Sequence, residues 1–304
     1  MATALVGGRV ETVEELLFDR SFRTRWRLGF DRVIGWLLPL LFLVAIIPIL
    51  DLVWFISSRA LPTLTWTVLS STSPYNPDAL GVPILSTIEM MAFATSLAVL
   101  LGLFGGVATA EFLPERAAGW VRMTANMLVG TPSVVLGYFG YFLLVLKFGW
   151  GLSFIAGAVT LGFFMTPYVF RISDLAYSSI PRHIREAAYG SGARPYQYIL
   201  RVGAPIAFPQ ILNGVFLAMA IGVGETAPVV LTTTASVLVP PTLFSPVTFL
   251  TGTIWANFSQ PIGSPAIALA FQAAFILLLV VISLNIVVRV ISARFQKRLE
   301  GLYQ

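Results

Sequence analysis

Residues 180–205 read IPRHIREAAYGSGARPYQYILRVGAP, a polar island that separates two apolar runs and sets the topology of the chain. Pro181 is suited to the first turn of a helix, where a missing backbone N–H costs nothing. Gly190 and Gly192 are suited to ending that helix, because glycine adopts positive φ without strain. Pro195 then opens a second short helix over residues 196–202. The stretch therefore predicts two short helices joined by a glycine elbow.

On either side of this elbow lie long runs without Asp, Glu, Lys or Arg. A helix needs about 20 apolar residues to cross a bilayer. The runs are apolar on all sides and lack the period-two alternation of barrel strands, so they predict helices. Small residues in Gly102-x-x-Gly105-Gly106 and Gly137-x-x-Gly140 favour close helix packing. The predicted fold class is an all-α integral membrane protein with six transmembrane helices, at residues 33–50, 90–110, 123–146, 148–170, 202–224 and 266–288.

The composition agrees with a membrane protein and excludes most soluble functions. Hydrophobic residues make up 57% of the 304 residues, charged residues make up 11%, and the mean hydropathy is +0.85. A soluble domain carries about 25% charged residues. With no cysteine and a single histidine, His183, neither a disulfide nor a metal centre is predicted. No G-x-x-x-x-G-K-[ST] phosphate loop occurs, so ATP hydrolysis would have to come from another chain.

The distribution of basic residues predicts the orientation in the cell membrane. All Lys and Arg residues except Arg59 and Lys147 fall in alternate connecting segments or in the two termini. Basic segments stay on the cytoplasmic side, so both termini and the elbow are predicted to be cytoplasmic. The predicted domains are an N-terminal segment 1–32, a transmembrane domain 33–291 with the elbow at 173–205, and a tail 292–304. The N-terminal segment is either a helix lying on the inner leaflet or a charged tail.

The elbow resembles the EAA loop of ABC importer permeases, in which Glu-Ala-Ala precedes a glycine and, nine residues further on, a short motif ending in proline. The ending here, Val202-Gly203-Ala204-Pro205, departs mildly from the commoner Ile-x-Leu-Pro. The resemblance implies the type I ABC importer permease fold, in which this loop inserts into a groove of the ATP-hydrolysing subunit. It assigns ATPase coupling to Glu186, Ala187, Ala188, Gly192, Arg194 and Pro205.

Three further motifs are similar to those of PstA-type phosphate permeases. They are Gly224-Glu225-Thr226-Ala227-Pro228, Thr131-Pro132-Ser133-Val134-Val135-Leu136-Gly137 and Ala110-Glu111-Phe112-Leu113. The resemblance covers residues 84–296. It implies a non-catalytic permease subunit without a cofactor, in which ATP hydrolysis by a partner drives alternating access for phosphate. The implied partners are a paralogous permease, two ATP-binding subunits and an external phosphate-binding protein.

Glu225 stands out because it lies inside the fifth hydrophobic stretch. A charge at membrane depth is expensive and marks a functional site by default, and Pro228 predicts an irregular helix beside it. A carboxylate can accept a hydrogen bond from protonated phosphate, whereas sulfate has no proton to donate. The alternatives are an ion pair with an arginine of the paired permease, and a neutral Glu225 outside the path. The predicted substrate path consists of Glu225, Thr226, Thr131 and Ser133.

Two other functions stay open from the sequence. The same kind of permease could carry another oxyanion, namely molybdate, tungstate or sulfate. A secondary transporter or channel without an ATPase is the alternative from a different class, but it leaves the elbow unexplained. The uncharged outer segment 240–265 either docks a binding protein or dips back into the bundle.

Overall fold

The fold is described from a computed structural model, which covers residues 3–6, 9–72, 79–233, 242–261 and 263–300. The chain divides into two units, Met1–Ser57 and Ser58–Gln304. The first unit contains two short antiparallel strands, β1 (Thr3–Val6) and β2 (Arg9–Thr12), followed by most of helix α1 (Val13–Ala60). Helix α1 joins the predicted N-terminal segment and the first span without a break. The division of that helix into an inner-leaflet part and a span stays a prediction.

The described residues of the second unit form helices joined by turns and short loops, with no strand among them. A π-helical turn, Tyr141–Lys147, continues the helix Ser133–Gly140, and a second one, Tyr198–Gly203, joins the helices Pro195–Gln197 and Ala204–Gly224. The helices are α2 (Trp66–Ser70), α3 (Gly81–Glu111), α4 (Glu115–Val129), α5 (Ser133–Gly140), α6 (Phe154–Ser178), α7 (Arg182–Gly190), α8 (Pro195–Gln197), α9 (Ala204–Gly224), α10 (Ala227–Thr232), α11 (Leu250–Asn257) and α12 (Pro265–Glu300).

The predicted spans are confirmed as helices in five of six cases. In the described part of the chain, five helical segments are long and apolar enough to cross a membrane on their own. Their apolar side chains leave every backbone polar group to be satisfied within the helix, as a bilayer requires. The segments are Val33–Ala60, Gly81–Glu111, Phe154–Ser178, Pro195–Gly224 and Pro265–Ile291.

The third predicted span, residues 123–146, is not one straight helix. Helix α4 ends at Val129, and α5 begins at Ser133 after a bend of 97°. The bend falls at Gly130 and Pro132, because proline cannot donate a backbone hydrogen bond and restricts the residue before it. If the bent pair is counted as one crossing, the total is the predicted six.

Helix α6 lies at the centre of the second unit and packs against α3 and α9. Two glycines of the predicted small-residue motif let α3 approach it closely. A Cβ atom at Gly102 would lie 2.8 Å from the carbonyl oxygen of Thr166, and one at Gly106 would lie 2.6 Å from that of Phe170. Backbones that approach so closely gain dispersion contacts along the whole interface. The packing role predicted for these glycines is confirmed.

Gly106→Ala is expected to destabilise this interface by about 1–3 kcal/mol, the usual cost of overpacking a tight contact. The new methyl group would meet the α6 backbone, which cannot move aside as a flexible side chain can. The measurement is the midpoint of thermal unfolding in mild detergent. Gly119→Ala on α4 is the matched control, since the described structure places no atom within 4 Å of its added Cβ. Equal midpoints for the two variants would contradict the packing role.

Candidate functional site: the elbow and the broken fifth helix

The first half of the elbow forms as predicted. Pro181 caps helix α7, which ends at Gly190. The chain then turns at Gly192, whose φ is +84°. The N–H of Gly192 donates to the carbonyl oxygen of Tyr189 at 2.9 Å. This is a glycine-type helix ending, in which a left-handed residue lets the chain cap the last carbonyls and reverse direction.

The second half of the elbow corrects the prediction of a separate helix over 196–202. Helix α8, the π-helical turn and α9 form one continuous segment, Pro195–Gly224. In the π-helical turn the N–H of Ala204 donates to the carbonyl of Ile199, five residues earlier. This wider turn takes up Pro205, which has no N–H and would crowd a regular α-helical turn. Pro205 therefore lies inside the fifth helix and not at the end of a loop.

The predicted coupling residues form an outward surface on α7 and the turn after it. Glu186, Ala187, Gly192 and Arg194 are exposed, and Ala188 is half-buried. The remaining one, Pro205, is also exposed but lies apart, on α9. The small side chains of Ala187 and Ala188 leave the α7 backbone accessible for close approach by another protein.

The sequence did not reveal the residues that hold α7 against the ends of α3 and α9. Arg185 Nη2 donates to Glu111 Oε1 at 2.7 Å, and the Glu111 side chain is only 4% exposed. Arg185 Nε also donates to the Tyr198 hydroxyl at 3.4 Å. The hydrogen bond with Tyr198 and the negative charge of Glu111 raise the pKa of Arg185, so the guanidinium stays charged. The one available signal was Glu111, which stands in the Ala110-Glu111-Phe112-Leu113 motif without a stated role.

A second ion pair holds the bent third segment. Arg122 on α4 donates to both carboxylate oxygens of Asp174 on α6, at 2.8 and 3.0 Å. It also contacts Glu115 at 3.2 Å. A two-bonded arginine–carboxylate pair fixes orientation as well as distance. Helix α4 is thereby oriented on α6 although it is bent away from α5.

The fifth hydrophobic stretch is interrupted at Glu225, as its sequence predicts. Helix α9 ends at Gly224, and α10 begins at Ala227 with Pro228 as its second residue. Glu225 itself is extended and half-buried. Within the described residues, its carboxylate has no hydrogen bond or ion pair. The break therefore presents a carboxylate that is available to a ligand or to another chain.

The structure brings two of the sequence motifs together at this break. Helix α5 packs against α10, and a Cβ atom at Gly137 would lie 2.8 Å from the Cα of Pro228. Ser133 begins α5 and is half-buried. The Thr131 hydroxyl donates to the carbonyl oxygen of Met127 at 2.9 Å within the bend, and its place in a substrate path stays a prediction.

Part of the outer segment packs back into the second unit, whereas residues 240, 241 and 262 lie outside the described residues and a role in docking a binding protein stays a prediction. Phe249, Leu250 and Thr251 are buried. The Thr251 hydroxyl donates to the backbone carbonyl of Glu225 at 3.1 Å. The N–H of Leu250 donates to the hydroxyl of Thr87 on α3 at 2.9 Å. Thr251 and Thr87 therefore position the helix break, and no pattern in the sequence marked either of them.

This arrangement has counterparts among known proteins. The family model for the inner membrane component of binding-protein-dependent transport systems matches residues 98–300. "Phosphate transport system permease protein PstA 2" of Mycobacterium bovis is 32% identical over 258 residues, which cover 84% of this chain and 85% of that protein. A probable phosphate transport system permease protein PstA of Methanocaldococcus jannaschii is 27% identical, over 85% of this chain and 92% of that protein.

A solved structure shares the fold. The methionine ABC transporter MetNI, in an inward-facing conformation, matches with a TM-score of 0.59 and 17% identity, over 73% of this chain and 99% of that chain. At that identity the likeness concerns the fold alone, which is that of type I ABC importer permeases. The chain is thus a multi-pass membrane protein, and it belongs to the binding-protein-dependent transport family as a non-catalytic permease subunit of the PstA type.

Proposed function

We propose that this chain is one of two permease subunits in an ATP-driven importer of inorganic phosphate. The support comes from relatives named as phosphate permeases along most of the chain and from the carboxylate at the Glu225 break. The distribution of basic residues supports an orientation with both termini and α7 in the cytoplasm. The complete importer contains a second, paralogous permease, two ATP-binding subunits and an external phosphate-binding protein.

Energy enters this assembly through α7. The outward face of α7, with Glu186, Ala187 and the turn at Gly192, docks in a groove on an ATP-binding subunit. When ATP closes the two ATP-binding subunits, the docked helices move and the paired permeases open outward to receive phosphate. Hydrolysis then returns the pair to the inward-open state. The chain itself carries out no chemistry, and its role is to alternate access to the path.

The observation that carries the substrate assignment is the carboxylate of Glu225 at the helix break, which has no hydrogen-bond or ion-pair partner among the described residues. Phosphate keeps a proton near neutral pH and can donate a hydrogen bond to this acceptor. Sulfate has no proton, so it would leave this half-buried acceptor without a donor and would place two negative groups side by side, which is costly. A site built around a hydrogen bond in this way rejects an analogue that lacks the donor. The competing explanation, an ion pair with an arginine of the paired permease, predicts that Glu225 serves assembly instead.

Competition in an uptake assay tests the assignment. The complete complex in vesicles, with ATP inside, takes up labelled phosphate while sulfate, molybdate or tungstate is added in excess. We expect uptake to continue in the presence of each of these anions and to be abolished by unlabelled phosphate. If one of the other oxyanions is itself taken up and displaces phosphate, the substrate is that anion and the proposal for phosphate fails.

A further inference from the structure

In the part of the chain that the structure describes, helix α7 contacts the rest of the second unit through one face. Its half-buried Ile184 packs against the apolar cluster that includes Tyr177 and Ala207. Arg185 makes the polar contacts, and the Tyr189 ring lies 5.4 Å from the Tyr198 ring, measured between centroids. The positions 185 and 189 are one helical turn apart and therefore share a face.

Arg185 reaches the ends of two different membrane helices at once. Its Nη2 contacts Glu111, the last residue of α3, at 2.7 Å. Its Nε contacts the hydroxyl of Tyr198 at 3.4 Å, and its guanidinium carbon lies 5.7 Å from the centre of the Tyr198 ring. Tyr198 is fully buried and begins the π-helical turn that leads into α9. One side chain thus connects α7 to both helices.

These two helices extend from Arg185 to the substrate-path end of the molecule. Helix α9 runs without interruption from the π-helical turn to Gly224, directly before Glu225. Helix α3 carries Thr87, which holds Leu250 beside the Thr251–Glu225 hydrogen bond. Both also pack against the central helix α6. If α7 moves the cytoplasmic ends of α3 and α9 together, both helices therefore transmit that movement to the break at Glu225.

The polar contacts of Arg185 and the apolar contact of Ile184 differ in how strongly they resist a sliding movement of α7. Apolar packing is non-directional, so Ile184 can slide over its cluster at small cost. Charge-assisted hydrogen bonds are directional and short, and the Glu111 carboxylate is nearly fully buried, so breaking the pair leaves a buried charge unpaired. Arg185 therefore resists separation of α7 from α3 and α9 in a way that Ile184 does not.

We propose that Arg185 is the positioning residue that makes α7 move as one body with the ends of α3 and α9. This inference rests on the proposed function, in which an ATP-binding subunit moves α7. Without Arg185, α7 slides over the apolar cluster that contacts Ile184, and α3 and α9 do not follow its movement. ATP hydrolysis then continues, but less phosphate is transported for each ATP consumed.

The first test measures the distance between α7 and the end of α3. The chain has no cysteine, so His183→Cys and Phe112→Cys, both exposed positions, introduce a unique pair of spin labels. In the complete complex with Arg185 intact, we expect the same label distance with and without a non-hydrolysable ATP analogue. With Arg185→Gln, we expect the distance to change when the analogue binds. A nucleotide-dependent change with Arg185 intact, or no change in Arg185→Gln, would overturn the proposal.

The second test measures phosphate transported per ATP hydrolysed. Because a hydrogen bond to a charged group is lost, we expect Arg185→Gln to lower this ratio by about tenfold or more, while ATPase activity and subunit composition are kept. Tyr198→Phe removes only the hydroxyl and is expected to lower the ratio less, so it serves as the milder variant if Arg185→Gln does not assemble. The matched control is Arg201→Gln, an exposed arginine on the same π-helical turn. An unchanged ratio of phosphate to ATP in both Arg185→Gln and Tyr198→Phe would contradict the role of Arg185.

Failure of this inference can be told apart from failure of the proposed function. If the unsubstituted complex shows no ATP-driven phosphate uptake, the proposed function fails, whatever the Arg185 variants do. If the unsubstituted complex transports phosphate and the Arg185 variants keep its transport-to-ATP ratio, the importer assignment stands and the positioning role is wrong.

Discussion

Gly192→Pro is expected to abolish ATP-driven phosphate uptake while the membrane helices remain inserted. Gly192 has φ of +84°, whereas proline holds φ at about −65°. Proline also removes the N–H that donates to Tyr189 at 2.9 Å. The turn after α7 would have to take another path, and the surface formed by Glu186, Ala187 and Arg194 would lose its shape. Uptake in vesicles is the measurement, and protease protection of the spans reports insertion.

The milder change Gly192→Ala distinguishes the effect of backbone conformation from the effect of a steric clash. The described structure places no atom within 4 Å of a Cβ added at Gly192, so the methyl group meets no obstacle. A left-handed conformation still costs an alanine about 1–2 kcal/mol, and we expect a partial loss of uptake. Gly119→Ala, in the regular helix α4, is expected to transport normally. If Gly192→Pro transports phosphate at the unsubstituted rate with ATP, α7 and its turn are not the point at which energy enters.

Glu225→Gln is expected to lower phosphate uptake by about tenfold to a hundredfold, the range for losing a hydrogen bond to a charged acceptor. Glutamine is similar in size to glutamate but is uncharged and keeps only one acceptor oxygen, so the hydrogen bond from phosphate is no longer charge-assisted. The NH2 group can instead donate to a fully deprotonated anion. We therefore also expect the variant to discriminate less between phosphate and sulfate. Uptake of both anions by the same complex measures the two effects.

The control for this change is Glu89→Gln, an exposed carboxylate on α3 that we expect to leave uptake unchanged. Subunit composition in detergent distinguishes the competing role of Glu225. If Glu225 pairs with an arginine of the other permease, Glu225→Gln weakens association with that subunit, and the fraction that still assembles completely keeps its preference for phosphate. Normal uptake with unchanged selectivity in an intact complex would remove Glu225 from the substrate path.

The features that depend on local physical chemistry could be predicted from the sequence. Charge-free runs located the membrane helices, because a bilayer excludes charge and unpaired backbone groups. Pro181 and Gly192 located the ends of α7, because each residue restricts or frees its own φ. The interruption at Glu225 followed in the same way from Pro228. Each of these inferences needs only a few neighbouring residues.

The features that depend on distant pairs could not be predicted. Arg185 and Glu111 are 74 residues apart, and only the folded chain brings α7 to the end of α3. The same is true of Leu250 and Thr87, which are 163 residues apart. The error in the second elbow helix had a local cause, because a π-helical turn carries the chain through Pro205 without a break. A proline in the sequence, such as Pro195 or Pro205, is equally typical of the first turn of a new helix, so the sequence does not distinguish a new helix from a continuous one.

Reconstitution with and without the partner subunits tests the central claim most directly. The chain is placed in vesicles alone, with the paired permease, and with the paired permease, the ATP-binding subunits and the external binding protein. Labelled phosphate uptake is followed with ATP, with a non-hydrolysable analogue and without nucleotide. We expect phosphate to accumulate only in vesicles that contain the complete complex and hydrolysable ATP. Phosphate transport by the chain alone, without nucleotide, would show that it is a channel or secondary transporter and not the permease of an ATP-driven importer.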